Sequence, residues 1–200
     1  MKTSLSALSL LVALQLPTTV QAQELSPRLG LAVFAAQPND TAGNLYASGW
    51  KLSLTIHVRR EAEVEGRVRM EFGRFGEGSG TTNGNYSRTK TRAQTRMVSY
   101  DWLIPLGQKA ETGFDLILGI GGAHWITHSQ VETLPGNPYP YSYTYDDDNL
   151  AFAATLGLRY RLGRHWTLEV HHVFSTTPGH QKDFEDAELS HTALGLGYRF

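Results

Sequence analysis

The sequence predicts an all-β chain: an eight-stranded antiparallel up-and-down transmembrane β-barrel with short periplasmic turns and longer external loops. Three observations lead there. Apolar residues recur at every second position in one segment after another, which gives an extended strand one greasy face and one polar face. The connections between these segments alternate in length, as in a meander with turns at one rim and loops at the other. Finally, the rings on the apolar parity gather near strand ends instead of strand middles.

The first element precedes the strands. Lys2 is followed by an apolar run, "LSALSLLVALQL" (Leu5 to Leu16), and Pro17 breaks it. Val20, Gln21 and Ala22 then suit a signal-peptidase site, so residues 1–22 read as a cleaved signal peptide and 23–200 as the barrel domain. A membrane-spanning helix needs about 20 apolar residues, more than this run supplies. The chain has no cysteine, so neither a lipoprotein anchor nor a disulfide framework is available. A net charge of −1 argues against a nucleic-acid partner. No later stretch is apolar enough for a membrane helix, so any crossing must be made by strands.

"RLGLAVFAA" opens the series, with Leu29, Leu31, Val33 and Ala35 on one face. "WKLSLTIHVR" sets Trp50, Leu52, Leu54, Ile56 and Val58 against Lys51, Ser53, Thr55, His57 and Arg59. "GRVRMEF" sets Val68, Met70 and Phe72 against Arg67, Arg69 and Glu71. "RMVSYDWLI" sets Val98, Tyr100, Trp102 and Ile104 against Ser99, Asp101 and Leu103. "FDLILGI" offers Phe114, Leu116, Leu118 and Ile120, with Asp115 opposite. "FAATLGLRY" offers Phe152, Ala154, Leu156, Leu158 and Tyr160 against Thr155, Gly157 and Arg159. "WTLEVHHVF" offers Trp166, Leu168, Val170, His172 and Phe174 against Thr167, Glu169 and His171. "LGLGYRF" closes with Leu194, Leu196, Tyr198 and Phe200 against Gly195, Gly197 and Arg199.

Between them, "REAEVE", "PLGQKAETG" and "RLGRH" read as short turns. "AQPNDTAGN", "GEGSGTTNGNYSRTKTR", "THSQVETLPGNPYPYSYTYDDD" and "STTPGHQKDFEDAE" are rich in Gly, Asn, Asp, Pro and Ser and read as loops.

Sidedness follows from the rings. Trp50, Phe152 and Phe174 fall at the loop end of the apolar parity; Tyr100, Trp102, Phe114, Tyr160, Trp166, Tyr198 and Phe200 fall at the turn end. Rings with one wet and one dry edge favour the headgroup level, so two girdles and a lipid-facing apolar band are expected. The polar parity then faces a lumen, where Arg67, Arg69, Glu71, Asp101, Arg159, Glu169 and Arg199 form a charge network. An eight-stranded barrel is only wide enough to be filled by side chains, and small inward residues such as Gly119, Gly157 and Gly195 leave room for long arginines. The expected lumen is plugged and salt-bridged.

These features, together with "GFDLILGIGGAHW" (113–125), "NLAFAATLGLRYRLGRHWTLEVHHVF" (149–174) and "LSHTALGLGYRF" (189–200), resemble the small outer-membrane β-barrel family of Gram-negative bacteria, the OmpA/OmpX/OmpW-like group. The likeness to OmpA covers its barrel only. The resemblance implies localisation in the outer membrane of a Gram-negative bacterium after export. It further implies contact with outer-membrane lipid and lipopolysaccharide, a monomeric state, and a structural or surface-interaction role through the external loops. No cofactor and no particular external partner is implied. It also implies that the aromatic ending, Tyr198 and Phe200, is read by the barrel-assembly machinery.

Enzymes exist on this architecture, which gives an alternative function: a lipid A-modifying enzyme of the PagL-like deacylase type. His171, Ser175 and Glu169 are its candidates. In the PagL pattern the His stands two residues before the Ser, on the lipid-facing surface. Here His172 and Ser175 are on opposite strand faces, whereas His171 and Ser175 share the lumenal one. The chain departs from the pattern, and a non-enzymatic barrel is the favoured reading. A narrow channel or ligand carrier is the second alternative, opposed by the charge and crowding of the expected lumen.

Two further stretches stand out. In "NPYPYSYTYDDDN" (137–149) alternate tyrosines suit a projecting hairpin offering rings to sugars or protein, and Asp146, Asp147 and Asp148 are weak candidates for Ca²⁺. Calcium needs several converging oxygens, and adjacent aspartates on an extended strand point apart. "SRTKTRAQTR" (87–96) is basic and suits either contact with anionic lipopolysaccharide or a solvated loop entering a strand.

Overall fold

The computed structural model describes residues 28–39, 46–58, 64–82, 87–107, 111–135, 139–176 and 190–200. Eight strands run β1 (Arg28–Pro38), β2 (Tyr46–Val58), β3 (Glu65–Thr82), β4 (Ser87–Leu106), β5 (Thr112–Thr133), β6 (Ser142–Leu162), β7 (Trp166–Thr176) and β8 (His191–Arg199). They pair antiparallel in chain order and close as a barrel, β1 against β8. At the seam Leu31 opposes Tyr198, Phe34 opposes Gly195, and the Phe200 amide donates to the Leu29 carbonyl at 2.9 Å. Around the barrel wall closure leaves no unpaired sheet edge, which is what allows strands to cross hydrocarbon.

The alternation decides which face is which. Along β1 the residues from Gly30 to Pro38 strictly alternate buried and exposed. Val33 is 59 % exposed and Ile120 60 %, whereas Arg69 and Asp101 are 0 % exposed. The greasy parity therefore lies outside and the charged parity inside, the inverse of a soluble barrel. Trp50 and Phe72 pack at 5.9 Å on the loop side of the band. On the turn side the ring pairs are Tyr100–Trp102 (5.0 Å), Phe114–Tyr160 (4.6 Å) and Trp166–Tyr198 (4.9 Å). The turn before Trp166 needs Gly163, whose φ of +100° is a conformation that other L residues rarely adopt.

The long connections are not all loops. Much of 76–92 and of 127–148, expected as loop from its Gly, Ser, Asn and Thr content, is strand in the structure: β3 and β4 extend to Thr82 and from Ser87, and β5 and β6 to Thr133 and from Ser142. The period of two persists through these stretches, with Thr89, Thr91 and Thr95 inward and Arg88, Arg92 and Arg96 outward. Thr and Tyr suit strands, and each extended strand finds a paired neighbour. β3 to β6 have 18, 20, 22 and 21 residues, against 11, 13, 11 and 9 for β1, β2, β7 and β8. A transmembrane strand needs only about 9–11. The surplus raises a four-stranded sheet above the loop-side rim. Residues 40–45 and 177–189 of the other two long connections, and 59–63 of the first turn, with its Arg59, lie outside the described residues.

Candidate functional site

Inside the barrel, β3 sends Arg67, Arg69 and Glu71 inward in succession because they share one parity. Arg67 donates to both oxygens of Glu169 at 2.7 and 2.8 Å and from Nε to Asp101 at 2.8 Å. β3 and β7 are four strands apart in a ring of eight, so this bidentate pair crosses the lumen from wall to opposite wall. Arg69 lies 3.0 Å from Asp101 and donates to Thr155 at 2.9 Å. Lys51 pairs with Glu71 at 2.6 Å. Nearer the turns, Arg159 reaches Asp115 at 2.8 Å and Glu65 at 3.3 Å, and Arg199 lies 3.6 Å from Glu65. Charges of both signs are thus buried in contact, which offsets the desolvation each would suffer alone.

Above these ions the loop-side half of the lumen is aromatic. Trp125 stacks on Phe75 at 5.5 Å and on Tyr46 at 6.3 Å, and Phe34 meets the His171 ring at 4.8 Å. Sequence reasoning missed these four rings. Phe34 sits between Ala32 and Ala36 on the face opposite the leucines, and Phe75 and Trp125 lie just past the segments read as strand. Continuing the inward parity Arg67, Arg69, Glu71, Gly73 by one step reaches Phe75 and would have found it. A Cβ on Gly195 would come within 2.3 Å of Phe34 Cδ1, so that glycine makes the space the ring occupies.

The deacylase candidates share the inward face but are occupied elsewhere. Glu169 is held by Arg67, and the Ser175 hydroxyl accepts from the Trp125 indole at 3.2 Å. His171 lies among Arg69, Lys51 and Phe34, fully shielded from the lipid face. No hydrogen bond joins the three to one another among the described residues. His172, outside, takes Thr192 and Asn39 as partners near the rim.

On the raised sheet, Tyr141, Tyr143 and Tyr145 form a ladder with successive rings 6.0 and 6.1 Å apart. They share the lumenal parity, whereas Asp146 and Asp148 face outward and contact His128 and His124. Asp147 faces the other way, its carboxylate accepting from Asn149 at 2.9 Å. The three aspartates do not converge, and no group of three or more His, Asp or Glu suited to a metal ion occurs among the described residues. Tyr198 packs against Trp166 and Phe200, and Phe200 is exposed on the outer face.

A family model described as "Outer membrane protein beta-barrel domain" matches residues 6–200. No curated protein sequence matches the chain. Among solved structures, a major outer membrane protein from Thermus thermophilus is similar at a TM-score of 0.54 and 15 % identity, covering 88 % of this chain and 100 % of that one. The N-terminal β-barrel domain of Pseudomonas aeruginosa OprF gives 0.50 at 10 % identity, covering 86 % and 97 %. Ail, the attachment invasion locus protein of Yersinia pestis, gives 0.49 at 10 %, covering 89 % and 100 %. At such identities the likeness to the first two of these structures is one of fold alone.

Proposed function

The chain belongs to the outer membrane protein β-barrel domain family and is an outer-membrane barrel; from that premise we propose that it is a monomeric surface-interaction protein whose raised sheet, and not its lumen, meets partners. One observation carries the reading. The four central strands outrun the other four by far more than a bilayer requires, and the surplus displays a stacked tyrosine ladder to solvent. Binding tends to reside on segments held out from a rigid scaffold, and tyrosine offers rigid amphipathic area at low entropic cost. The lumen favours no competing role: wall-to-wall ion pairs and stacked rings cross it, Glu169 is held by Arg67, and the Ser175 hydroxyl accepts from Trp125.

On this reading residues 1–22 are removed on export, and Tyr198 and Phe200 serve the assembly machinery before they join the turn-side girdle. The test is retention of cells displaying the barrel on a panel of immobilised glycans and proteins. Wild-type cells should be retained on at least one surface, and a Tyr141→Ser/Tyr143→Ser/Tyr145→Ser variant, still folded by its heat-dependent gel mobility, should lose that retention. Retention equal to cells lacking the barrel, or unaffected by the substitutions, would count against the reading.

A further inference from the structure

The outer face of β4 changes character once along its length. From the turn side it presents Leu106, Ile104, Trp102, Tyr100 and Val98, and above them Arg96, Gln94, Arg92, Lys90 and Arg88. Arg74 of β3 joins the basic half: its Cα partner on β4 is Gln94, between Arg92 and Arg96. A cationic patch therefore begins where the lipid-facing band stops. It adjoins Phe72, which opposes Arg96 across the β3–β4 ladder, and Val98, two residues along the same face.

The two sets of arginines in this protein are treated differently. Inside, Arg67, Arg69 and Arg159 each meet carboxylates. Outside, Arg74, Arg88, Arg92 and Arg96 are exposed and make no ion pair among the described residues; Lys90 lies 3.7 Å from Glu132. The Asp146 and Asp148 carboxylates, on the outer face of the same sheet, are engaged elsewhere. His124 and His128 of β5 oppose Arg96 and Arg92, and they hold Asp148 and Asp146 of β6 on the far side. The histidines thus stand between the arginines and the aspartates.

We propose that this face of β3 and β4 is a seat for a membrane lipid with phosphate groups on its headgroup, taken from the outer leaflet. The guanidiniums of Arg92, Arg96 and Arg74 grip the phosphates, since planar forks bind phosphate bidentately. The acyl chains run down over Phe72, Val98 and Ile120, all exposed on the apolar band. The direct passage from apolar stripe to arginines commits the site to a lipid instead of a free anion. It deepens the expected contact with lipopolysaccharide by assigning residues, and it is independent of the tyrosine ladder.

The test uses the full barrel in phosphatidylcholine nanodiscs, titrated with diphosphoryl lipid A and with its dephosphorylated form, with bound lipid counted by native mass spectrometry. Wild type should retain the diphosphoryl form preferentially. Arg92→Gln/Arg96→Gln should weaken retention by about fivefold for each guanidinium lost, the effect of removing one basic contact with an anionic lipid surface. Arg164→Gln, an exposed arginine at the turn end, should change nothing. Folding of each variant is checked by heat-dependent gel mobility, and Arg92→Lys/Arg96→Lys, which keeps the charge, should recover part of the loss. Equal retention of both lipids, an undiminished double Gln variant, or complete displacement by inorganic phosphate would overturn the assignment.

Discussion

Arg67 sits at the centre of the buried ion network and joins three strands: its own β3, β4 through Asp101, and β7 through Glu169. Removing one partner of such a pair leaves a buried charge uncompensated, which costs about 3–5 kcal/mol. Glu169→Gln should therefore lower the urea midpoint for unfolding in detergent substantially, whereas Glu111→Gln, in an exposed pair with Arg164, should change it little. A similar midpoint for the two variants would mean that the wall-to-wall pair adds no stability. A second residue-scale expectation concerns space. Gly195→Ala forces a Cβ against Phe34 and the Val33 carbonyl, both at 2.3 Å, and overpacking of this kind costs about 1–3 kcal/mol. Its unfolding midpoint should fall accordingly, and one equal to wild type would show that the ring moves freely.

The strands themselves carry a depth scale. Leu156 faces out midway between Phe152 at the loop side and Tyr160 at the turn side. Arginine there meets hydrocarbon and should cost about 2–4 kcal/mol, with impaired membrane assembly. Gln94→Arg, on the outer face above Val98, should insert normally. Insertion assayed by heat-dependent mobility distinguishes the two, and equal behaviour would remove the depth argument. The apolar half of each strand was legible because lipid-facing and lumenal demands alternate residue by residue, as in Leu52, Leu54 and Ile56 against Ser53, Thr55 and His57. The polar halves were harder. Ser87 to Arg96 has the composition of a loop and the periodicity of a strand, and above the membrane neither face is apolar enough to separate the two. Pairing with β5 settles it, and pairing is a property of two segments together. For the same reason the charged residues of the lumen could be named from parity, but which arginine meets which carboxylate depends on strand stagger.

At the scale of the whole molecule, the barrel divides by height: a charged lumen near the turns, an aromatic lumen toward the loops, and a solid sheet above. Ion pairs and stacked rings cross both lumenal layers, so single barrels in planar bilayers should show no sustained conductance, and steady ohmic steps would oppose that obstruction. The inversion of a soluble fold, with leucines outward and arginines inward, underlies every other inference. It is tested most directly by the four tryptophans. Trp50, Trp102 and Trp166 lie on the outer face, whereas Trp125 is 2 % exposed within the lumen. Variants retaining a single tryptophan, reconstituted in bilayers of brominated lipid, report which rings touch acyl chains. The expected result is strong quenching of Trp102 and Trp166 with Trp125 shielded; quenching of Trp125 with the others protected would contradict the assignment of faces.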